Sequence, residues 1–261
     1  MSADSEAASY TSATALADSE RQPCPIAGGA CMTLSGPGRR SRRRPRSAGG
    51  VVTAVDPTPQ LLAIADHRAR QENLAIAWQE GVAERIDAAD HSFDRVLSVF
   101  GAMYSPSPAA AASELVRCCR PGGRIIVTAW TPDSFMAATN RAVAPYLPPP
   151  PPAGTPPTQW GDIDFVRSLF ASKHASVTTT IATVNFDFPT LDAAADFWIR
   201  TAGHLRAEQQ RLDSQGLWGR LRADLQRCFA DANTDRAGRI SVHSTYLLTA
   251  VSPHRTADHD S

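Results

Sequence analysis

Four short apolar runs constrain what this chain can fold into: residues 51–55 (VVTAV), 74–78 (LAIAW), 96–100 (VLSVF) and 124–129 (RIIVTA). None keeps a strict alternation of apolar and polar residues, so each needs cover on both faces, as the strands of a buried parallel sheet do. Helical stretches lie between them. Thr58 followed by Pro59 predicts an N-cap with proline at the first helical position, opening a helix through Leu61, Leu62, Ile64 and Ala65 towards Arg70. A second helix is expected over 108–120, closed by Pro121-Gly122-Gly123. The order strand, helix, strand, strand, helix, strand predicts an α/β domain built on an open parallel sheet.

Downstream, residues 145–157 are nearly all proline and small residues, which predicts an extended excursion rather than a helix. Helical patterns follow around 162–170, 191–202, 204–212 and 217–230. Residues 177–188 and 244–251 alternate well enough to close the sheet as two antiparallel edge strands. Residues 1–48 differ in texture, with few large apolar side chains and no sustained period, and are expected to be disordered. The folded domain is thus expected over 49–251, with a cap or lid segment within 131–235 and a short tail over 252–261.

Charge and cysteine content narrow the partners. The formal net charge is zero, which gives no global electrostatic reason to bind nucleic acid or a membrane surface. The five cysteines form no CxxC or Cys/His spacing, so free thiols are expected and no metal site is. No stretch approaches the roughly 20 apolar residues of a membrane span. The first residues lack the basic-then-apolar pattern of a leader, and a cytoplasmic protein is expected.

In an open α/β sheet, ligands bind beyond the carboxyl ends of the strands, so the informative residues follow each apolar run. Asp56 follows the first. A carboxylate there can accept both hydroxyls of a ribose, with Pro57 against an adenine ring; alternatively, Asp56 only begins the turn into the next helix. Gly81, within Glu80-Gly81-Val82-Ala83-Glu84, allows a close backbone approach to a base edge. After the third run, Ser98-Val99-Phe100-Gly101-Ala102-Met103-Tyr104 sets a small residue among aromatic and thioether groups, a wall for a reacting centre or a piece of core.

Taken in order, VVTAVDPTPQLL, WQEGVAE, HSFDRVLSVFGAM and LVRCCRPGGRIIVTAW resemble the class I S-adenosylmethionine-dependent methyltransferases. The nearest flavour is the small-molecule branch similar to ubiquinone/menaquinone biosynthesis methyltransferases. The resemblance covers about residues 49–251 and implies a Rossmann-like parallel sheet with antiparallel C-terminal edge strands and a helical cap. It also implies S-adenosylmethionine as cofactor and a small-molecule methyl acceptor. On the family's pattern Asp56 is the ribose ligand, with Val82 and Ala83 bordering the adenine. Ser98, Val99 and Phe100 pass beneath the methionine end. Methyl transfer needs no obligatory catalytic triad; Tyr104, Asp133, His174 and His204 are the polar groups available to assist a nucleophile.

The family also carries a strand and a DxGxGxG turn ahead of its ribose-binding acid, whose backbone approaches the methionine moiety. Here the segment is CMTLSGPGRRSRRRPRSAGG. Gly36-Pro37-Gly38 stands at the right distance from Asp56, but Pro37 removes an amide and no apolar strand is expected before it. Losing two charge-assisted hydrogen bonds of about 1.5 to 3 kcal/mol each would weaken a cofactor roughly a hundredfold to ten-thousandfold. An inactive, methyltransferase-like scaffold is therefore the second functional expectation. Arg39, Arg40, Arg42, Arg43, Arg44 and Arg46 crowd together in a chain with one lysine, Lys173. They lack the aromatic partners of a nucleic-acid site, and no specific nucleic-acid partner is expected. CGN arginine codons read one nucleotide later become GNC, encoding Ala, Gly, Val or Asp, which predicts a frameshift upstream of about Gly49. Resequencing the locus should reveal a strand and a GxGxG turn in a neighbouring frame; finding neither would remove the idea.

Overall fold

The computed structural model describes residues 30–35, 51–149, 155–235 and 238–254. The described residues fall into two compact units. One holds residues 133–149, 182–235 and 238–245; the other holds 30–35, 51–132, 155–181 and 246–254.

The larger unit is built on the strands β1 (Ala30–Ser35), β2 (Val51–Asp56), β3 (Ile76–Glu80), β4 (Phe93–Val99) and β5 (Cys119–Trp130). With β6 (Ala175–Phe188) and β7 (Ile240–Pro253), the sheet order is β3-β2-β1-β4-β5-β7-β6. The first five strands are parallel and β7 runs antiparallel to β5. This is the α/β class that the apolar runs predict. Helices α1 (Pro59–Gln71) and α2 (Pro108–Cys118) follow β2 and β4, with Pro59 and Pro108 in their first turns as expected. Ala111, Ala112, Leu115 and Cys118 make the fully buried stripe of α2, and Val96 and Ile125 are equally buried in the sheet.

Several expectations need correction. No strand is expected ahead of Gly36, yet β1 lies inside the sheet between β2 and β4. Its backbone pairs with β2 from Ala30↔Val51 to Leu34↔Val55 and with β4 from Cys31↔Arg95 to Ser35↔Val99. The rest of 1–48, with Gly36-Pro37-Gly38 and the arginine run, lies outside the described residues. The run at 74–78 contributes a strand two residues later than expected, because Leu74 lies in the turn that leaves α1 and its N–H donates to the Ala69 carbonyl at 2.8 Å.

Pro121-Gly122-Gly123 does not stop α2, which ends at Cys118. It lies inside β5 as a bulge: the pairing jumps from Phe93↔Cys119 to Arg95↔Arg124. Gly122 takes φ +75°, and a Cβ on Gly123 would sit 2.8 Å from the Arg120 carbonyl oxygen and 2.9 Å from that of Asp94. The proline-rich stretch is flanked by short 3₁₀ turns at Ala144–Tyr146 and Pro157–Gly161 instead of being extended throughout.

Helix α4 (Ile163–Phe170) starts where Asp162 accepts a hydrogen bond from Phe165 N at 2.8 Å. In the smaller unit, α3 (Phe135–Val143) was not expected from the sequence; Ser134 caps it through the Ala137 N–H. That helix joins α5 (Leu191–Thr201), α6 (Gly203–Ser214) and α7 (Trp218–Asp231). Phe229 centres their core, with ring centroids 4.9 Å from Phe135, 5.6 Å from Phe188 and 6.1 Å from Trp198.

Gly161 is the tightest point in the larger unit. A Cβ there would lie 1.9 Å from the Trp130 carbonyl oxygen, a contact with backbone that no rotamer change relieves. Gly161→Ala should cost about 1 to 3 kcal/mol and lower the melting temperature by several degrees. Gly219→Ala, on the exposed side of α7 with nothing within 4 Å, should leave stability unchanged or raise it by about 0.5 kcal/mol. Paired thermal melts check both signs.

Candidate functional site

The chain direction of the parallel strands brings Ser35, Asp56, Glu80, Val99 and Trp130 to one edge of the sheet, at the carboxyl ends. From β1 the connection leads to β2 on one side, while β4 lies on the other. The order therefore reverses between β1 and β4, and that crevice is where open α/β sheets hold ligands.

Asp56 ends β2 and is 6% exposed. Its Oδ1 accepts from the Thr58 N–H at 2.8 Å, an Asx-type turn that steers the chain into α1. Thr58 makes no capping bond with its own hydroxyl. The turn-forming reading of Asp56 thus holds for one oxygen. The other, Oδ2, has no hydrogen bond among the described residues and is not sealed from solvent. Pro57 beside it is exposed.

On the neighbouring strand Glu80 sits opposite Asp56, and Gly81 N donates to the Asp56 carbonyl at 3.3 Å. A Cβ at Gly81 would come within 3.0 Å of Val55 Cγ1, so the strand packs closely here against its neighbour. Val82 is 45% exposed, and Ala83 is half-buried beside it. Asp56, Pro57, Gly81, Val82 and Ala83 therefore come together at one end of β2 and β3.

Ser98, Val99 and Phe100 end β4 on the other side of β1. Ser98 is fully buried and its Oγ accepts from Ala102 N at 2.9 Å, which fixes the 3₁₀ turn Ala102–Tyr104. The positive φ of this loop falls on Phe100 (+55°), whereas Gly101 has an ordinary φ of −96°. A bulky residue in the left-handed region costs on the order of 1 to 3 kcal/mol and persists only where its surroundings hold it. Here Phe100 N donates to the Thr128 carbonyl (3.1 Å) and Oγ1 (3.2 Å). The Phe100 ring stacks on Trp130 at 4.2 Å and meets Tyr246 edge-on at 5.7 Å. Phe100 is consequently core that shapes the backbone of the crevice.

Of the polar groups expected to assist chemistry, Tyr104 lies 47% exposed just past β4. His174 is misplaced for that role. Its carbonyl accepts from His254 N at 2.9 Å, and the end of β7 pairs with the start of β5, at the edge opposite the crevice. Asp133 is exposed and belongs to the smaller unit, as does His204, whose side chain lies outside the described residues. Burial pushes the thiols of Cys118 and Cys119 up to about 11, which leaves them un-ionised at neutral pH. No cluster of metal-ligating side chains occurs among the described residues, and no described helix is long and apolar enough to cross a membrane.

Sequence reasoning missed Glu114 and Arg117. Arg117 donates through Nε and Nη2 to the two oxygens of Glu114, both at 2.8 Å, and reaches the Ile86 carbonyl at 2.8 Å and the Ala88 carbonyl at 2.6 Å. The guanidinium holds the Glu114 carboxyl below the usual carboxylate range, against an opposing contribution from burial. In sequence the two residues read as an ordinary i,i+3 ion pair on a helix, with no sign of their distant partners.

Residues 35–127 match the family described as a methyltransferase domain. An uncharacterized protein of Mycobacterium tuberculosis is 36% identical over 152 residues, covering 58% of this chain and 56% of that protein. The chain thus spans little more than half the length of that relative. A ubiquinone/menaquinone biosynthesis C-methyltransferase of Bdellovibrio bacteriovorus is 32% identical over 78 residues, 30% of this chain and 33% of that one. Among solved structures, the YcgJ protein from Bacillus superposes with a TM-score of 0.57 at 15% identity, covering 88% of this chain and 94% of that one. A phosphoethanolamine N-methyltransferase of Haemonchus contortus, solved with S-adenosylhomocysteine, gives 0.55 at 16% identity over 93% of this chain and 53% of that one. Sequence match and strand order agree over this segment: residues 35–127 match the methyltransferase-domain family, and the structural likeness shows the same Rossmann-like fold.

Proposed function

We propose that the protein binds S-adenosylmethionine at the β1/β4 crevice and transfers its methyl group to a small molecule in the cytoplasm. The observation that carries this reading is Asp56: a buried carboxylate at the end of β2, at the carboxyl edge of the sheet, with one oxygen spent on the turn and the other free of hydrogen bonds among the described residues. Asp56 accepts the ribose hydroxyls, Pro57 and Val82 flank the adenine, and the backbone at Gly81 and Ala83 meets the base edge. A purine bound there would cover the exposed Val82. The backbone at Ser98, Val99 and Phe100 forms the floor beneath the methionine end, held by the Phe100 bonds to Thr128.

The cofactor supplies an activated methyl group on a sulfonium. The chain's own work is to align an acceptor with it and to keep water out. Tyr104, beside the floor, is the polar side chain nearest in sequence to offer a hydrogen bond to the acceptor.

Calorimetric titration with S-adenosylmethionine and S-adenosylhomocysteine tests the reading. Micromolar binding is expected. Asp56→Asn keeps an oxygen for Thr58 N but loses the charge and the second acceptor, and should weaken binding roughly a hundredfold. A folded chain that binds neither ligand would contradict the proposal and favour a non-catalytic scaffold.

A further inference from the structure

The segment proposed to meet the adenine has little regular structure of its own. Between the end of β3 at Glu80 and the start of β4 at Phe93 there is neither helix nor ladder, only an isolated bridge between Val82 and Arg85. Connections of this kind are ordinarily mobile, and reading a base edge through backbone groups requires their positions to hold to a few tenths of an ångström. Something outside the segment has to supply that order.

The ties converge on one side chain pair. Glu114 Oε2 accepts from Ile86 N at 2.9 Å, while Arg117 donates to the carbonyls of Ile86 (2.8 Å) and Ala88 (2.6 Å) and to Asp90 Oδ1 (2.7 Å). The Arg117 carbonyl in turn accepts from His91 N at 2.8 Å. Arg117 and Glu114 are themselves locked by two 2.8 Å bonds, on a helix whose opposite stripe is wholly buried. A planar guanidinium can span two carbonyls and two carboxylates at once, which an ammonium cannot. At the other end, Ser105 donates to Glu84 Oε1 at 2.5 Å and accepts from Ser107 N at 3.1 Å.

We propose that Arg117, braced by Glu114, is a positioning residue for adenine recognition: it clamps the back of residues 81–92 so that the backbone at Gly81–Ala83 presents a fixed edge to the base, an inference that rests on the cofactor reading above. Arg117 touches no ligand. Its contribution is confined to the part of the affinity that depends on the base edge.

The test compares S-adenosylhomocysteine with its hypoxanthine counterpart, S-inosylhomocysteine, by equilibrium binding. Hypoxanthine reverses the donor and acceptor pattern of the base edge and leaves ribose and amino-acid ends unchanged. The wild type should prefer the adenine ligand by roughly tenfold, the worth of one backbone hydrogen bond. Arg117→Met should lose about that factor for S-adenosylhomocysteine alone, bringing the ratio near unity; Arg117→Lys should fall between. Arg120→Met, which removes a neighbouring surface pair with Asp94, should keep the wild-type ratio.

An Arg117→Met protein that keeps the full ratio, or that weakens both ligands equally, would overturn the inference and leave Arg117 a plain scaffold residue. Loss of folding in both Arg117 variants, read by thermal melt, would do the same. A wild type that binds S-adenosylhomocysteine without preferring it would overturn the inference and spare the cofactor reading; a wild type that binds neither would overturn both.

Discussion

The backbone ladder of β1 is the constraint on which the remaining structure depends. Ala30–Ser35 hydrogen-bonds to β2 along one edge and to β4 along the other, so its place fixes the register of both neighbours. That register sets Ser35 level with Val99 and brings Asp56 to the same edge of the sheet. The reversal of strand order beside β1 then opens the crevice between its two neighbours. Without this strand, β2 and β4 would each lose a row of pairing partners in the sheet interior, where an unpaired backbone group is costly.

At the carboxyl edge of the sheet the irregular segments are held from behind. Asp56 holds the turn into α1 through Oδ1. Phe100 holds: its left-handed backbone is kept in place by two hydrogen bonds to Thr128 and by stacking on Trp130. Arg117 and Glu114 hold the opposite wall from a helix that is itself anchored by Leu115 and Cys118. Local strain and irregular backbone at the site are therefore matched by dense polar and aromatic support just behind it.

What could be read in the sequence was local. Runs such as VVTAV and VLSVF carry the parallel strands because their apolar residues do not alternate with polar ones, and the acid after the first run was legible as the residue at the end of β2. The central strand ACMTLS escaped notice because it has one β-branched residue and lies against a glycine, proline and arginine stretch; its strand state comes from pairing on both sides. The clamp was equally illegible, since nothing in Glu114 and Arg117 announces the carbonyls of Ile86 and Ala88. Phe100 shows the same limit: the positive φ falls on it and not on the glycine beside it, because tertiary packing restrains the aromatic residue.

The most direct test of the account is a crystal structure of the protein with S-adenosylhomocysteine. The account predicts the ribose hydroxyls on Asp56 Oδ2, the adenine against Val82 and Ala83, and Arg117 still bonded to the carbonyls of Ile86 and Ala88. A ligand bound elsewhere, or an Asp56 carboxylate left facing solvent beside a bound nucleoside, would contradict it.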